Sequence, residues 1–145
     1  MHVADILKDK EAHVMTITVE CPILDCAKEM KNKKVGALVV ADAAGTIGGI
    51  VSERDVLHAF ADKGADVIRL KVKDIMTHRE RMITVTHEEH IEKVMDIMTR
   101  NRVRHVPVVE DGKLLGMISI GDLVKNRLDM VLFENEAMRK YISGF

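Results

Sequence analysis

Two short segments carry side chains whose types and spacing could grip a small polar molecule: Ser52-Glu53-Arg54-Asp55 and Ser119-Ile120-Gly121-Asp122. In each, a hydroxyl precedes a carboxylate by three residues. An ionised carboxylate offers two acceptor oxygens and no donor, which suits a pair of vicinal hydroxyls such as those of a ribose. A serine at the mouth of a helix stands beside backbone N–H groups with partial positive charge, a setting that favours a phosphate. Arg104 and His105 add cationic donors able to make charge-assisted hydrogen bonds to such an anion. S-x-x-D is also a capping box, in which the serine accepts from the first helical turn and the acid reaches back to the serine's own N–H. The roles are separable. Losing a cap lowers stability by about 1 kcal/mol whatever is bound, whereas losing a diol contact abolishes stabilisation by the ligand.

The elements that must position these groups follow from an internal repeat. Val14 to Asp42 aligns without a gap on the stretch 68 residues later, so that Thr16 meets Thr84, Thr18 meets Thr86 and Val35 meets Val103. After one extra residue in the first loop the offset becomes 67, and Gly49 to Asp55 lies on Gly116 to Asp122. Ile23, Cys26, Ala27 and Met30 recur at helical spacing, as do Ile91, Val94, Met95 and Met98, predicting one amphipathic helix per copy. Cys26 occupies the position of Val94 and is expected to act as a small buried hydrophobe. The β-branched runs Val35 to Ala41 and Val103 to Val109 read as strands, followed by a glycine turn and a second apolar run, Ile47 to Val51 or Leu114 to Ile118. With a first strand around Met15 to Val19 or Ile83 to Thr86, each copy reads as strand, helix, strand, strand, helix. The expected fold class is therefore α/β (α+β), with two units burying their remaining apolar faces against each other. Val3 to Leu7 and Val72 to Met76 resemble each other as leading segments, and Lys63 to Lys71 is a polar connection. The expected division is 1–68, 69–128 and a helical tail, 129–145. Along that tail Leu128, Val131, Leu132, Asn135, Met138 and Ile142 share a stripe that packs either on its own domain or on a second copy.

Composition narrows the function. The 145 residues hold 22 basic and 23 acidic side chains, a balance that argues against a nucleic-acid surface, and 3% aromatic residues give no stacking platform. The apolar runs are too short to span a membrane or to form a signal peptide. Cys21 and Cys26 are too few for a disulfide framework and lack the second pair a structural zinc site needs, so a reducing, cytoplasmic setting is expected. His87-Glu88-Glu89-His90 could offer two imidazoles to a metal, but without a third ligand it reads as an acidic first helical turn, and no metal is expected. Gly45 to Gly49 precedes a strand and reads as a turn, not as a dinucleotide fingerprint. No nucleophile or metalloprotease motif supports catalysis.

The paired segments "VGALVVADAAGTIGGIVSERDVL" and "VRHVPVVEDGKLLGMISIGDLV" resemble the cystathionine β-synthase (CBS) domain pair, also called a Bateman module, from about Val3 to about Leu128. The resemblance implies tandem β-α-β-β-α repeats related by a pseudo-twofold, with clefts between their sheets. It further implies an adenosyl ligand, AMP or NAD(H), with ATP, ADP or S-adenosylmethionine possible, whose occupancy is reported to a partner protein. A homodimer is implied as well. Carried onto this chain, the pattern gathers Arg104, His105 and Arg54 on the phosphate, Ser119 and Asp122 on the ribose and Thr84 near the base. Val85, Val103 and Ile118 are either walls for the adenine or plain core residues. A weaker or empty second site would use Thr16, Ser52 and Asp55, because copy one has Gly36-Ala37-Leu38-Val39 where copy two has Arg104-His105-Val106-Pro107. The alternatives are a structural or oligomerisation module with vacant clefts, or a small redox enzyme.

Overall fold

The computed structural model describes residues 1–9 and 16–144, except the side chain of Asp9. The two copies fold alike where the sequence repeats. In the first, helix α2 (Ile23–Lys33) is followed by strands β2 (Ala37–Ala41) and β3 (Ile47–Ser52) and helix α3 (Glu53–Lys63). In the second, α5 (Ile91–Asn101) is followed by β5 (His105–Glu110), β6 (Lys113–Ser119) and α6 (Ile120–Ser143). Both α2 and α5 end on a residue in the left-handed region, Lys34 at φ 56° and Arg102 at φ 54°. That turn delivers the chain directly into the next strand. Each predicted helix face is buried, with Ile23, Cys26 and Met30 in α2 and Ile91, Val94 and Met98 in α5. Cys26 is fully buried, and burial, helped by neighbouring negative groups, pushes its thiol up to about 11. It is a core side chain, not a nucleophile.

The predicted hairpins are present, with β2 antiparallel to β3 and β5 antiparallel to β6. Gly45 is in its turn, at φ 83°, and Asp42 Oδ1 closes that turn by accepting from the backbone N–H groups of Ala44 and Thr46. The first strands are shorter than expected. In copy one the strand is β1 (Thr16–Ile17), parallel to β2, and Met15 lies outside the described residues. In copy two the stretch Ile83 to Thr86 makes only a single parallel bridge, Val85 to Val108. The reason is Pro107. Val85 donates to Pro107 O at 3.1 Å and accepts from Val109 N at 2.9 Å, but the next rung would need an N–H that proline lacks.

The leading segments are short helices, α1 (Val3–Asp9) and α4 (Val72–Ile75), and they are exchanged between the copies. Val3 and Ile6 of α1 lie in one core with Val94, Val106, Val108, Ile118 and Leu123 of copy two, while Val72 of α4 lies with Cys26, Leu38, Val40 and Val51 of copy one. Backbone hydrogen bonds tie the same elements: Val3 N to Glu89 O, and Val72 N to Cys21 O, both 2.9 Å. Beyond α4, strand β4 (Thr77–His78) joins the edge of the copy-one sheet beside β3, giving the order β1-β2-β3-β4. Each repeat is thus completed by the segment that precedes the other, so the halves form one folding unit.

A three-way contact holds the crossing at α4. Glu20 accepts from Lys71 at 2.6 Å and from Lys73 at 2.9 Å, and these hydrogen bonds hold its carboxyl down to about 2. Because the folded-state value lies below the ordinary one near 4.5, this contribution is fully present above pH 4.5 and is lost as pH falls through about 2. The stability difference between the wild type and Glu20→Gln, followed by urea unfolding, is expected to be constant from pH 7 to 5 and to shrink toward zero by pH 2. All three groups are solvent-exposed, so the difference at neutral pH is small.

Candidate functional site

Both S-x-x-D segments stand where a strand turns into a helix, and both are capping boxes. Ser52 Oγ accepts from Asp55 N at 3.3 Å while Asp55 Oδ2 accepts from Ser52 N at 2.9 Å. Ser119 Oγ accepts from Asp122 N at 3.2 Å while Asp122 Oδ2 accepts from Ser119 N at 2.8 Å. Ser52→Ala is therefore expected to cost about 1 kcal/mol in chemical unfolding, with or without ligand. Capping spends Oδ2 of Asp55, which also accepts from Ser52 Oγ at 3.1 Å; Oδ1 takes no part in the cap. The cap fixes the carboxylate's direction and leaves half its acceptor capacity for something else.

Each repeat closes its own strand-to-helix junction with an equivalent backbone contact. Glu53 N donates to Gly36 O at 3.0 Å and Ile120 N donates to Arg104 O at 2.8 Å, so each second helix starts against the residue that leads into its own central hairpin. Among the described residues, three cavities lie around this junction. One of about 180 Å³ joins Ser52, Arg54 and Asp55 with Arg102, Arg104 and His105, with Ala37, Ile50 and Val103 as apolar walls. A second, about 590 Å³, shares Gly36, Glu53, Arg104 and His105 with it and extends to Lys31, Lys34 and Ser119. The third, about 510 Å³, has Arg54, Arg102, Val103 and Arg104 along its lining.

Arg54, Arg104 and His105 therefore come together, and the carboxylate that shares their cavity is Asp55. Ser119 shares the larger cleft with Arg104 and His105, whereas Thr16, Thr84 and Asp122 line none of the three. Val85 and Ile118 are core residues, and Val103 alone of the three apolar candidates faces two of the cavities. Two contacts bridge the copies at the shared wall. Arg54 Nη1 donates to Arg102 O at 3.1 Å, and Arg104 Nη2 lies 3.7 Å from Glu53 Oε1.

Several lining residues were not singled out in the sequence. Lys31, Lys34 and Arg102 belong to polar clusters that end the first helix of each repeat, and a charged helix end is ordinarily a solvated one; here these ends lie at the junction and line its cavities. Glu53 occupies the variable position of S-x-x-D, where copy two has Ile120. Gly36 supplies no donor, yet a Cβ there would meet His105 Cε1 at 2.8 Å, so a missing side chain in copy one makes room for the imidazole of copy two. The motif at Gly45 to Gly49 is a turn and strand, as its position implies. His87 pairs with Glu110 and His90 stacks on His2 with ring centroids 4.3 Å apart. Among the described residues no group of three or more His, Cys, Asp or Glu could hold a metal, and no helix is long and apolar enough to cross a membrane.

Comparison with known proteins agrees with this architecture. The CBS domain profile matches residues 3–62 and again 72–129. The Arabidopsis thaliana "CBS domain-containing protein CBSX3, mitochondrial" is 35% identical over 148 aligned residues, covering 98% of this chain and 72% of that protein. The crystal structure of a CBS-domain containing protein from Agrobacterium tumefaciens superposes with a TM-score of 0.83 at 40% identity, covering 87% of this chain and 92% of that one. A hexameric CBS-CP12 protein from bloom-forming cyanobacteria superposes with a TM-score of 0.73 at 30% identity, covering 86% and 69% respectively. With two profile matches, the exchanged leading helices and a paired set of capped strand-to-helix junctions, the chain belongs to the CBS-domain family and is a tandem CBS pair.

Proposed function

We infer that this chain is a regulatory module, not an enzyme, that binds an adenosyl ligand between its repeats and passes its occupancy to a partner protein. AMP and NAD(H) are the first ligands of the class to consider, followed by ADP, ATP and S-adenosylmethionine. The observation that carries this reading is the convergence of a capped, aimed carboxylate, Asp55, with Arg54, Arg102, Arg104 and His105 in one cavity. That combination suits a ribose diol at one end and a phosphate at the other. The smaller cavity alone would not hold a nucleotide. It shares Gly36, Glu53, Arg104 and His105 with the cleft of about 590 Å³, and that cleft falls in the range typical of ligand sites. Asp122, with Ser119, forms the pseudo-equivalent half-site and the second position of the same proposal; what favours Asp55 is the company of the cations.

The ion pair between Arg104 and Glu53 suggests how occupancy acts. A phosphate that takes Arg104 replaces an inter-repeat contact with one to ligand, so bound and unbound states differ in how the copies are held. A ligand shifts an equilibrium only through such a difference. A thermal-shift panel with AMP, ADP, ATP, NADH and S-adenosylmethionine tests the reading. A rise with one or more members supports it, and no rise with any overturns it in favour of a structural module. A reducing, cytoplasmic setting completes the proposal, with Cys21 and Cys26 both unpaired.

A further inference from the structure

Among the described residues lining the cleft of about 590 Å³, Lys31, Lys34, Arg104 and His105 are basic and Glu53 alone is acidic. A cleft suited to an anion gains nothing from a carboxylate on its wall, and copy two has none in the equivalent position, which is Ile120. Glu53 also lies outside the capping box that holds Ser52 and Asp55. As the first residue of α3 it sits where the partial positive charge of a helix N-terminus favours an acid, and its backbone is pinned by the bond from Glu53 N to Gly36 O at 3.0 Å. Backbone and dipole thus keep a negative charge at the edge of the cation cluster.

The side chain reaches toward the other copy. Glu53 Oε1 lies 3.7 Å from Arg104 Nη2, and a Cβ built on Gly36 would be 3.1 Å from that same oxygen and 3.2 Å from His105 Nε2. The carboxylate therefore stands over Gly36 beside the imidazole and within reach of the guanidinium, the two groups that would grip an anion. Its hold is loose. A charge-assisted hydrogen bond of this type is about 2.7–2.9 Å long, and this contact is longer, between side chains that are 55% and 60% exposed. Exposed pairs of that kind add little to stability and are readily exchanged. A phosphate brings more charge and more acceptor oxygens than a carboxylate, so it can take Arg104 over. A neutral ligand gains nothing by doing so. Once displaced, Glu53 is still tethered by its backbone beside the new anion, and the two like charges repel.

We propose that Glu53 is an internal counter-anion: it occupies the cations of the inter-repeat cleft in the free protein, holds the affinity for anions below what those cations alone would give, and makes the site select its ligand by phosphate charge. This deepens the ligand reading above and rests on it for the adenosyl part only, because the competition itself involves a carboxylate, an incoming anion and the cations of copy two.

The test titrates the full chain with inorganic pyrophosphate, AMP and adenosine and follows thermal unfolding, each variant being compared with its own unliganded state. Glu53→Gln keeps the shape of an exposed side chain and removes its charge. The concentration of pyrophosphate or AMP that gives half the maximal shift is expected to fall about fivefold, with the response to adenosine unchanged. In an Arg104→Gln background the same substitution is expected to gain less than about twofold, because the cation that the carboxylate occupied is gone. A Glu53→Gln variant that binds pyrophosphate no better than the wild type overturns the proposal, as does the absence of a pyrophosphate shift in both. An equal gain for adenosine, or a fivefold gain that persists without Arg104, overturns it too, since the effect would then not be competition for that cation. Pyrophosphate carries no ribose or base. A gain seen with it while AMP leaves both proteins unmoved would support the counter-anion and overturn the adenosyl reading; AMP and pyrophosphate binding that ignores Glu53 would do the reverse.

Discussion

Asp55→Asn is expected to remove most of the stabilisation that an adenosyl ligand confers while leaving the unliganded protein close to wild-type stability. The asymmetry comes from the two oxygens of the side chain. Asparagine keeps one acceptor, enough for the bond from Ser52 N that closes the capping box at 2.9 Å. It loses the charge and the second acceptor, which is what a vicinal diol would use. A ligand at about 100 times its Kd stabilises the wild type by about 2.7 kcal/mol, a Tm rise on the order of 5–10 °C for a chain of this size. In Asp55→Asn that rise is expected to fall below about 2 °C, with calorimetry showing the matching loss of heat. Asp122→Asn measured alongside apportions binding between the pseudo-equivalent positions. If Asp55→Asn keeps the full rise and Asp122→Asn loses it, the ribose belongs to copy two. If both keep it, the carboxylates are caps and nothing more.

The largest expected loss of stability comes from a single methyl group at Gly49. Strand β4 crosses so close to β3 that a Cβ at Gly49 would sit 2.1 Å from Thr77 O, 3.1 Å from Thr77 C and 3.3 Å from His78 Cα. All three are backbone atoms and cannot rotate away. Gly49→Ala must therefore part β4 from the sheet or distort both strands, and is expected to cost about 3 kcal/mol in urea unfolding. Two other glycines calibrate it. At Gly116, the equivalent residue of copy two, the Cβ would meet only the tip of Leu7, at 2.7 Å, a flexible side chain whose movement costs about 1 kcal/mol. At Gly48 the nearest atom is Val40 O at 3.7 Å, ordinary contact, and alanine should be close to neutral. Equal costs at all three would mean that strand propensity, not the approach of β4, sets the requirement for glycine.

That series also separates what each repeat contains from what it borrows. The offsets of 68 and 67 residues, the helical stripes and the glycine turns are local regularities, and local regularities are legible because the same 3.6-residue and two-residue periods that build helices and strands also space the apolar residues along the chain. The exchange of α1 and α4 is not local. Val3 and Val72 begin similar segments and either could have packed on its own repeat; burial against Leu123 in one case and Cys26 in the other is a choice between nearly equal surfaces that only the assembled cores make. The shortened first strand of copy two was in principle readable from Pro107. Its effect is visible only once Val85 is known to lie beside it.

The candidate site divides along the same line. Two capped junctions, each with a carboxylate three residues after a serine, are readable from the chain alone, as are the differences of Gly36 against Arg104 and of Arg54 against Gly121. Cap geometry is contained within four consecutive residues, so it survives without knowledge of the rest. Which carboxylate keeps company with the cations emerges from the packing of the two copies. Arg54 shares a cavity with Asp55, and Arg102, Arg104 and His105 reach that cavity from the other repeat. Residues about half a chain apart meet there because Arg54 and Asp55 start the second helix of copy one while Arg102, Arg104 and His105 lead into the hairpin of copy two. The resemblance already gathers Arg54, Arg104 and His105; that Asp55 shares their cavity follows from the packing of the two copies.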